Sequence, residues 1–271
     1  MVILLLQLTR ENYYSPEADQ EYMSHSQYLK WLECEARTMA AINRTWQEPP
    51  NDNMLVGSYV HAWNEGAIGE FKELNPDIIS QKGPTKGELK ANFQFANRMI
   101  ATLESDPFCM FVLQGEKEVI MTGEFAGTPW KIRIDSYDRA KRRLVDLKTT
   151  RNIYELVWSN ERWAKVSFIE AYHYLTQLAI YAEIERLNAG SEDYPEPLIV
   201  AISKEDPPDK AIISLNDPDR IEKELAEIER NMPRILAVKQ GLEEPARCNH
   251  CPYCRSTKKL DKVIFYTELE D

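Results

Sequence analysis

Apolar and polar residues alternate in two short stretches near the middle of the chain. Ile132 and Ile134 alternate with Lys131, Arg133 and Asp135, and Val145 and Leu147 alternate with Asp146 and Lys148. A period of two predicts two strands, with the aliphatic side chains turned to a core and Asp146 and Lys148 sharing the other face. Closed symmetrically around the charged turn at Ala140, this hairpin sets Asp135 opposite Asp146. A strand over 117–123 precedes it, with Gly123 and Gly127 marking turns. Two more strands, over 197–203 and 210–215, flank a turn at Glu205–Asp209.

Helical periodicity fills much of the rest. Ser24 with Gln27 reads as a capping box opening a helix to about Asn43, with Tyr28, Leu32, Ala36 and Met39 on one stripe and Trp31 nearby. Pro49–Asn53 is a loop, and a second helix follows from Leu55, capped by Ser58. Further helices are predicted over 86–104, over 167–189 with Gly190 just past the end, and from Pro218 to Gln240, where Pro233 should bend the helix and Gly241 ends it. Residues 9–23 read as an irregular polar lead-in and 2–6 as an N-terminal strand.

At 271 residues, 43% hydrophobic and 28% charged, the chain suits one sizeable globular domain over 1–271, with a lead-in over 1–23 and a cysteine-containing tail over 245–271. The apolar run at 2–6 is too short to span a membrane and no basic segment precedes it, so a cytoplasmic protein is expected. A formal net charge of −11 argues against indiscriminate coating of nucleic acid. It leaves room for a local basic groove, and residues 131–151, with eight Lys or Arg against three Asp, are the densest basic stretch.

The candidate chemistry starts from two directly opposed carboxylates. Their Cβ atoms would lie roughly 4.5–5.5 Å apart, and like charges at that range need a cation between them, for which a hard divalent ion is well suited. Solvation of both aspartates at a sheet edge is the plain alternative. His61, on a helix among Tyr59, Val60 and Trp63, reads by itself as a core histidine. His173, Gln177 and Tyr181 recur at intervals of four along one helix face. Cys248-x-x-Cys251-x-x-Cys254 points to metal or cluster binding in a reducing compartment, or to free thiols in a packed tail.

Asp135, about ten residues, then Asp146-x-Lys148 on the neighbouring strand resembles the signature of PD-(D/E)XK nucleases. Gly57-x-x-x-His61 and Gln177-x-x-x-Tyr181 resemble the flanking motifs of the RecB-type branch and occur in the family's order. Over roughly residues 24–260 the chain is most similar to phage-type exodeoxyribonucleases related to exonuclease VIII (RecE). One departure is Asp146, where many members carry Glu.

That resemblance implies an α/β, restriction-endonuclease-like fold with a mixed central β-sheet flanked by α-helices. It also implies metal-dependent hydrolysis of DNA, acting on double-stranded ends in recombination or end processing. Asp135, Asp146, the backbone carbonyl of Leu147 and His61 would hold Mg²⁺ or Mn²⁺, Lys148 would stabilise the transition state, and Gln177 and Tyr181 would handle DNA. A single-strand annealing recombinase and a second copy of the chain are partners compatible with it. One RecB-type branch holds a [4Fe–4S] cluster by one cysteine before the nuclease core and three after it, which maps onto Cys34, Cys248, Cys251 and Cys254. Zn²⁺ on the same thiolates, or with His250 in place of Cys34, is the alternative. A non-catalytic nucleic-acid-binding subunit with a degenerate nuclease fold, or a zinc-stabilised interaction module, are the competing functions.

Overall fold

The computed structural model describes residues 5–47, 52–160, 162–260, 263 and 265–269. In chain order its helices and strands are α1 Pro16–Glu21, α2 His25–Glu33, α3 Glu35–Ile42, α4 Asp52–Asn64, α5 Ile68–Leu74, α6 Ala91–Glu104, α7 Pro107–Val112, β1 Glu116–Phe125, β2 Thr128–Asp138, β3 Arg143–Thr150, β4 Val157–Ser159, β5 Ala164–Val166, α8 Phe168–Ala171, α9 Tyr174–Ala189, β6 Glu196–Ser203, β7 Lys210–Ser214, α10 Pro218–Lys239 and α11 Pro252–Ser256. The chain divides into two compact units, one of Met1–His25 with Pro50–Arg230, the other of Ser26–Pro49 with Asn231–Asp271. No described helix is long and apolar enough to cross a membrane.

The first unit is built on a five-stranded mixed sheet of order β1-β2-β3-β6-β7, in which only β3 and β6 run parallel. The period-two pattern decides what each face does. Val145, Leu147, Leu198, Val200 and Ile202 point one way, into a core with Val56, Tyr59 and Val60 of α4, the apolar stripe of α6 and Cys109 and Val112 of α7. Ile199 and Ala201 point the other way, against Phe168 and Ile169 of α8 and Leu178 of α9. Asp146 and Lys148 are paired in register with Ile199 and Ala201, so both carry their charges to the α9 face. This is the expected α/β architecture, a mixed sheet with helices on both faces.

The β2–β3 ladder is short, and that shortness makes the site. Only Ser136↔Val145, Tyr137↔Leu144 and Asp138↔Arg143 are paired, in the predicted register. Beyond Ser136↔Val145, β2 pairs with β1 alone and β3 with β6 alone, so Asp135 and Asp146 face each other where the two strands part.

Several predicted boundaries move. The single helix over 24–43 is two helices broken at Cys34, whose backbone is extended (φ −166°, ψ 104°), and Leu32 of the predicted stripe is exposed while Trp31 is buried. Ser58 lies inside α4, its hydroxyl donating to the Met54 carbonyl rather than capping. Residues 86–90 precede α6 as turn and bridge, and Gly123 lies within β1 rather than in a turn. The helix over 167–189 is interrupted at His173, which takes a left-handed φ of 56° and starts α9. Pro233 sits within α10, and Gly190 and Gly241 stand at helix ends with positive φ. The lead-in contains α1, capped by Ser15, and the β4–β5 hairpin was not foreseen. Of the strand expected at 2–6, residues 2–4 lie outside the described residues and Leu5–Leu6 form none; Pro49–Asn51 of the expected loop are likewise outside them, in whole or part.

Gly115 feeds the chain into β1 at φ +128°, where an added Cβ would stand 2.5 Å from the Tyr137 carbonyl oxygen. Backbone cannot yield as a side-chain tip can. Gly115→Ala is expected to lower stability by about 1–3 kcal/mol, read as a reduced urea midpoint; a wild-type midpoint would contradict that close approach.

Candidate active site

Where β2 and β3 part, the backbone N–H of Leu147 has no strand partner, and the Asp135 carboxylate takes it instead, Oδ2 accepting at 2.7 Å. The other oxygen, Oδ1, lies 3.3 Å from His61 Nδ1. His61 arrives on α4, which can approach β3 because residue 57 has no side chain: a Cβ there would meet Thr149 Oγ1 at 3.3 Å. One turn further along α4, Asn64 Nδ2 donates to the Asp135 carbonyl at 3.1 Å, and Lys117 Nζ donates to Asn64 Oδ1 and Ser136 Oγ at 2.7 and 2.8 Å. This network fixes the end of α4 beside Asp135.

Asp146 is held from the other side. Gln177 Nε2 of α9 donates to its Oδ1 at 2.7 Å, and Lys148 Nζ lies 2.8 Å from its Oδ2 as an ion pair. Both Asp146 oxygens are therefore engaged, one by an amide and one by an ammonium. Lys148 is itself seated over the Tyr174 ring, 4.5 Å from its centroid. The Gln177 side chain also hydrogen-bonds the Tyr181 phenol, which burial, helped by Tyr13 and the two aspartates, keeps protonated.

Electrostatics separate the two carboxyls. Burial alone would raise both. For Asp135 the His61 ring, Lys148 and the Leu147 N–H outweigh it and hold the group below the ordinary carboxylate range. For Asp146 burial prevails, with Asp135 adding to it, and the group is raised despite Lys148. Burial likewise opposes protonation of His61, but the Asp135 carboxylate wins and raises it.

The sign of the resulting pH dependence follows. A group raised in the folded state contributes stability that is fully present below its unfolded pKa, about 6.5 for histidine. That stability is lost as pH climbs through the raised folded value. Urea unfolding across this range is expected to show a fall in stability that His61→Gln removes; an identical fall in the variant would contradict the pairing.

Three neighbours were not singled out from sequence. Lys117 and Val119 pair with Ser136 and Ile134, so Glu118 falls opposite Asp135, at a left-handed φ of 55°. Burial, then Asp135, pushes its carboxyl up to about 8, although Arg133 Nε is 2.6 Å away. His25 stands beside Lys148 and His173 with Nε2 buried and unpartnered; burial first, then Lys148, lowers it to about 3, so the ring is neutral. Tyr174 is the third. The one local signal for Glu118 was a charged residue in a strand; His25 and Tyr174 carried none.

The cations of the basic stretch do not stand alone. All eight cations of 131–151 have acidic partners: Lys131 with Asp19, Arg133 with Glu118, Arg139 with Glu116, Lys141 and Arg143 with Asp138, Arg142 with Glu185, Lys148 with Asp146 and Arg151 with Glu155. Lys131 is fully buried, its ammonium also donating to the Tyr13 carbonyl.

Two carboxylates and an imidazole form a hard donor set suited to Mg²⁺ or Mn²⁺, with a lysine in reach of the same point. Such a set on the parting strands of a mixed α/β sheet defines a restriction-endonuclease-like domain of the PD-(D/E)XK nuclease superfamily. A family described as a PDDEXK-like domain of unknown function (DUF3799) matches residues 24–257, and the chain belongs to it. Among solved structures the chain is similar to a candidate exonuclease from Eubacterium rectale, 41% identical, with a TM-score of 0.90 over 97% of this chain and 98% of that one. A second structure, SSO0001, is 17% identical with a TM-score of 0.28 over 84% of this chain and 91% of that one, and carries no weight. No curated protein matches.

In the second unit, Cys34, Cys248, Cys251 and Cys254 come together, each offering a sulfur within 4.8 Å of the others. The fifth cysteine, Cys109, is buried in α7 of the first unit.

Proposed function

We propose that this nuclease is a metal-dependent exodeoxyribonuclease. The observation that carries the reading is the convergence of Asp135, Asp146 and Lys148 where β2 and β3 part, with His61 and Gln177 each holding one carboxylate. Asp135, Asp146 and the Leu147 carbonyl, completed by His61, would hold one or two Mg²⁺ or Mn²⁺ ions. A metal held there would supply Lewis-acid activation of a water and charge neutralisation at the leaving oxygen.

The chain's own residues do the rest. Lys148, fixed by Asp146 and the Tyr174 ring, orients the attacking water and stabilises charge developing on the phosphoryl oxygens. His61 and Gln177 orient the two carboxylates. Tyr181, a protonated phenol, donates towards a phosphate or stacks on a base.

Double-stranded ends are the proposed substrate and recombination or end processing the proposed setting, on the resemblance to exonuclease VIII and the Eubacterium rectale exonuclease likeness. An annealing recombinase is the partner that setting favours. The test compares linear with covalently closed circular duplex DNA in Mn²⁺ or Mg²⁺. Digestion of linear DNA with the circle spared is expected; equal attack on the circle would make the enzyme an endonuclease.

A further inference from the structure

The cysteines of the second unit fit one metal ion better than an iron–sulfur cluster. Cys34 Sγ lies 3.6 Å from Cys254 Sγ and 3.9 Å from Cys251 Sγ, and Cys248 Sγ lies 3.9 Å from Cys254 Sγ. Thiolates sharing one tetrahedral Zn²⁺ at about 2.3 Å are separated by the edge of that tetrahedron, about 3.8 Å. These three separations bracket that edge, and the other three lie within 4.8 Å. The thiolates of a cubane each cap a different iron and stand wider apart than a group lying wholly within 4.8 Å. Disulfides need sulfurs at about 2.05 Å, far closer than any of these.

The backbone is arranged for thiolates. Cys251 N–H donates to Cys248 Sγ at 3.3 Å, and Cys254 N–H donates to Cys251 Sγ at 3.4 Å as the cap of α11. Asn249, at φ 66°, makes the tight turn that aims the first of these. Such donors stabilise negative sulfur and are largely wasted on neutral thiols, which accept weakly.

The energetics of this part of the chain need a staple. The apolar cluster joining the start of α3 to the tail consists of Cys34, Ala36, Cys251 and Cys254, with Cys248 and Tyr253 against it; four of its six members are the thiols themselves. So small a core contributes little by burial. Beside it Trp46 meets Tyr253 edge to face at 5.6 Å, and polar ties add to this: Arg234 pairs with Glu35 through two contacts at 3.0 and 2.8 Å, Ala246 N–H donates to Glu35, and Ala36 N–H donates to the Ala246 carbonyl.

We propose that Cys34, Cys248, Cys251 and Cys254 hold a single structural Zn²⁺ that clasps the start of α3 to the 248–254 loop. Binding replaces the four thiol protons, which pass to solvent, by one ion, with no change of oxidation state. The clasp closes a loop of more than two hundred residues, the situation in which a cross-link most restricts the unfolded chain. The ion takes no part in hydrolysis.

Metal analysis of the whole chain, purified without oxygen and without added metal, tests this. One zinc and no iron per chain, in colourless protein, is expected. After removal of the metal, four thiols should become reactive to a thiol reagent and be protected again by one equivalent of Zn²⁺. Co²⁺ in its place should give the intense visible bands of a tetrahedral thiolate site. Cys254→Ser should lose stoichiometric zinc and expose 231–260 to proteolysis, while Cys109→Ser retains it. If Cys254→Ser does not fold, the wild-type stoichiometry and thiol count still decide. Brown protein with about four irons per chain, a single iron, or four thiols reactive whether or not Zn²⁺ is present would each overturn the proposal.

Discussion

Lys148→Ala and Asp135→Ala are each expected to lower the rate of DNA hydrolysis by about 10²–10³, with the fold retained. Lys148 serves the site rather than the apolar core: its ammonium lies over the Tyr174 ring and pairs with Asp146. Asp146 is already shifted towards its neutral form by burial, and Gln177 still donates to it, so removing the lysine leaves a group that can protonate rather than an orphaned charge. Asp135→Ala frees the Leu147 N–H and the His61 ring but leaves the β2–β3 pairs at 136–138 and 143–145 and the β3–β6 pairing in place. Steady-state hydrolysis of linear duplex, with circular dichroism as the folding control, checks both. Wild-type turnover by either variant would remove that residue from the mechanism.

Gln177→Ala is expected to weaken Mn²⁺ binding by about 10–100-fold, as loss of a partner that orients a metal-holding group does. Its place on a helix, away from the strands, suggests from sequence a role in DNA handling. The 2.7 Å contact of Nε2 with Asp146 Oδ1 supports instead a role in orienting that carboxylate. His61→Ala should fall in the same range, because the imidazole holds Asp135 in the same way. Tyr181→Phe, which leaves both carboxylates their partners, should keep wild-type metal affinity and lose DNA affinity. Calorimetric titration of Mn²⁺ into all three discriminates; unchanged affinity in Gln177→Ala would return it to the DNA side.

The site was legible from sequence where local pattern and register sufficed. Alternation at 131–135 and 145–148 identified both strands, and symmetry about Ala140 placed Asp135 against Asp146, as the paired residues 136–138 and 143–145 bear out. Gly57 and His61 were legible as a motif, though the reason for the glycine, the approach of α4 to Thr149, exists only in three dimensions. The early end of the β2–β3 ladder was not legible, because the two strands diverge while each keeps its other neighbour, β1 for β2 and β6 for β3, and β6 lies some fifty residues later in the chain. The helix breaks at Cys34 and His173 were hidden for the same kind of reason: neither residue is a breaker by propensity. The pairing of all eight cations of 131–151 also depended on acids as distant as Asp19 and Glu185.

The most direct measurement of the central claim is phosphodiester hydrolysis by the purified wild-type chain on linear duplex DNA, with Mn²⁺ or Mg²⁺ and again with a chelator. Release of acid-soluble nucleotides in the presence of metal, abolished by the chelator, is the expected result. DNA bound but left intact under both conditions, by protein shown to be folded, would contradict it and make the chain a non-catalytic nucleic-acid-binding subunit.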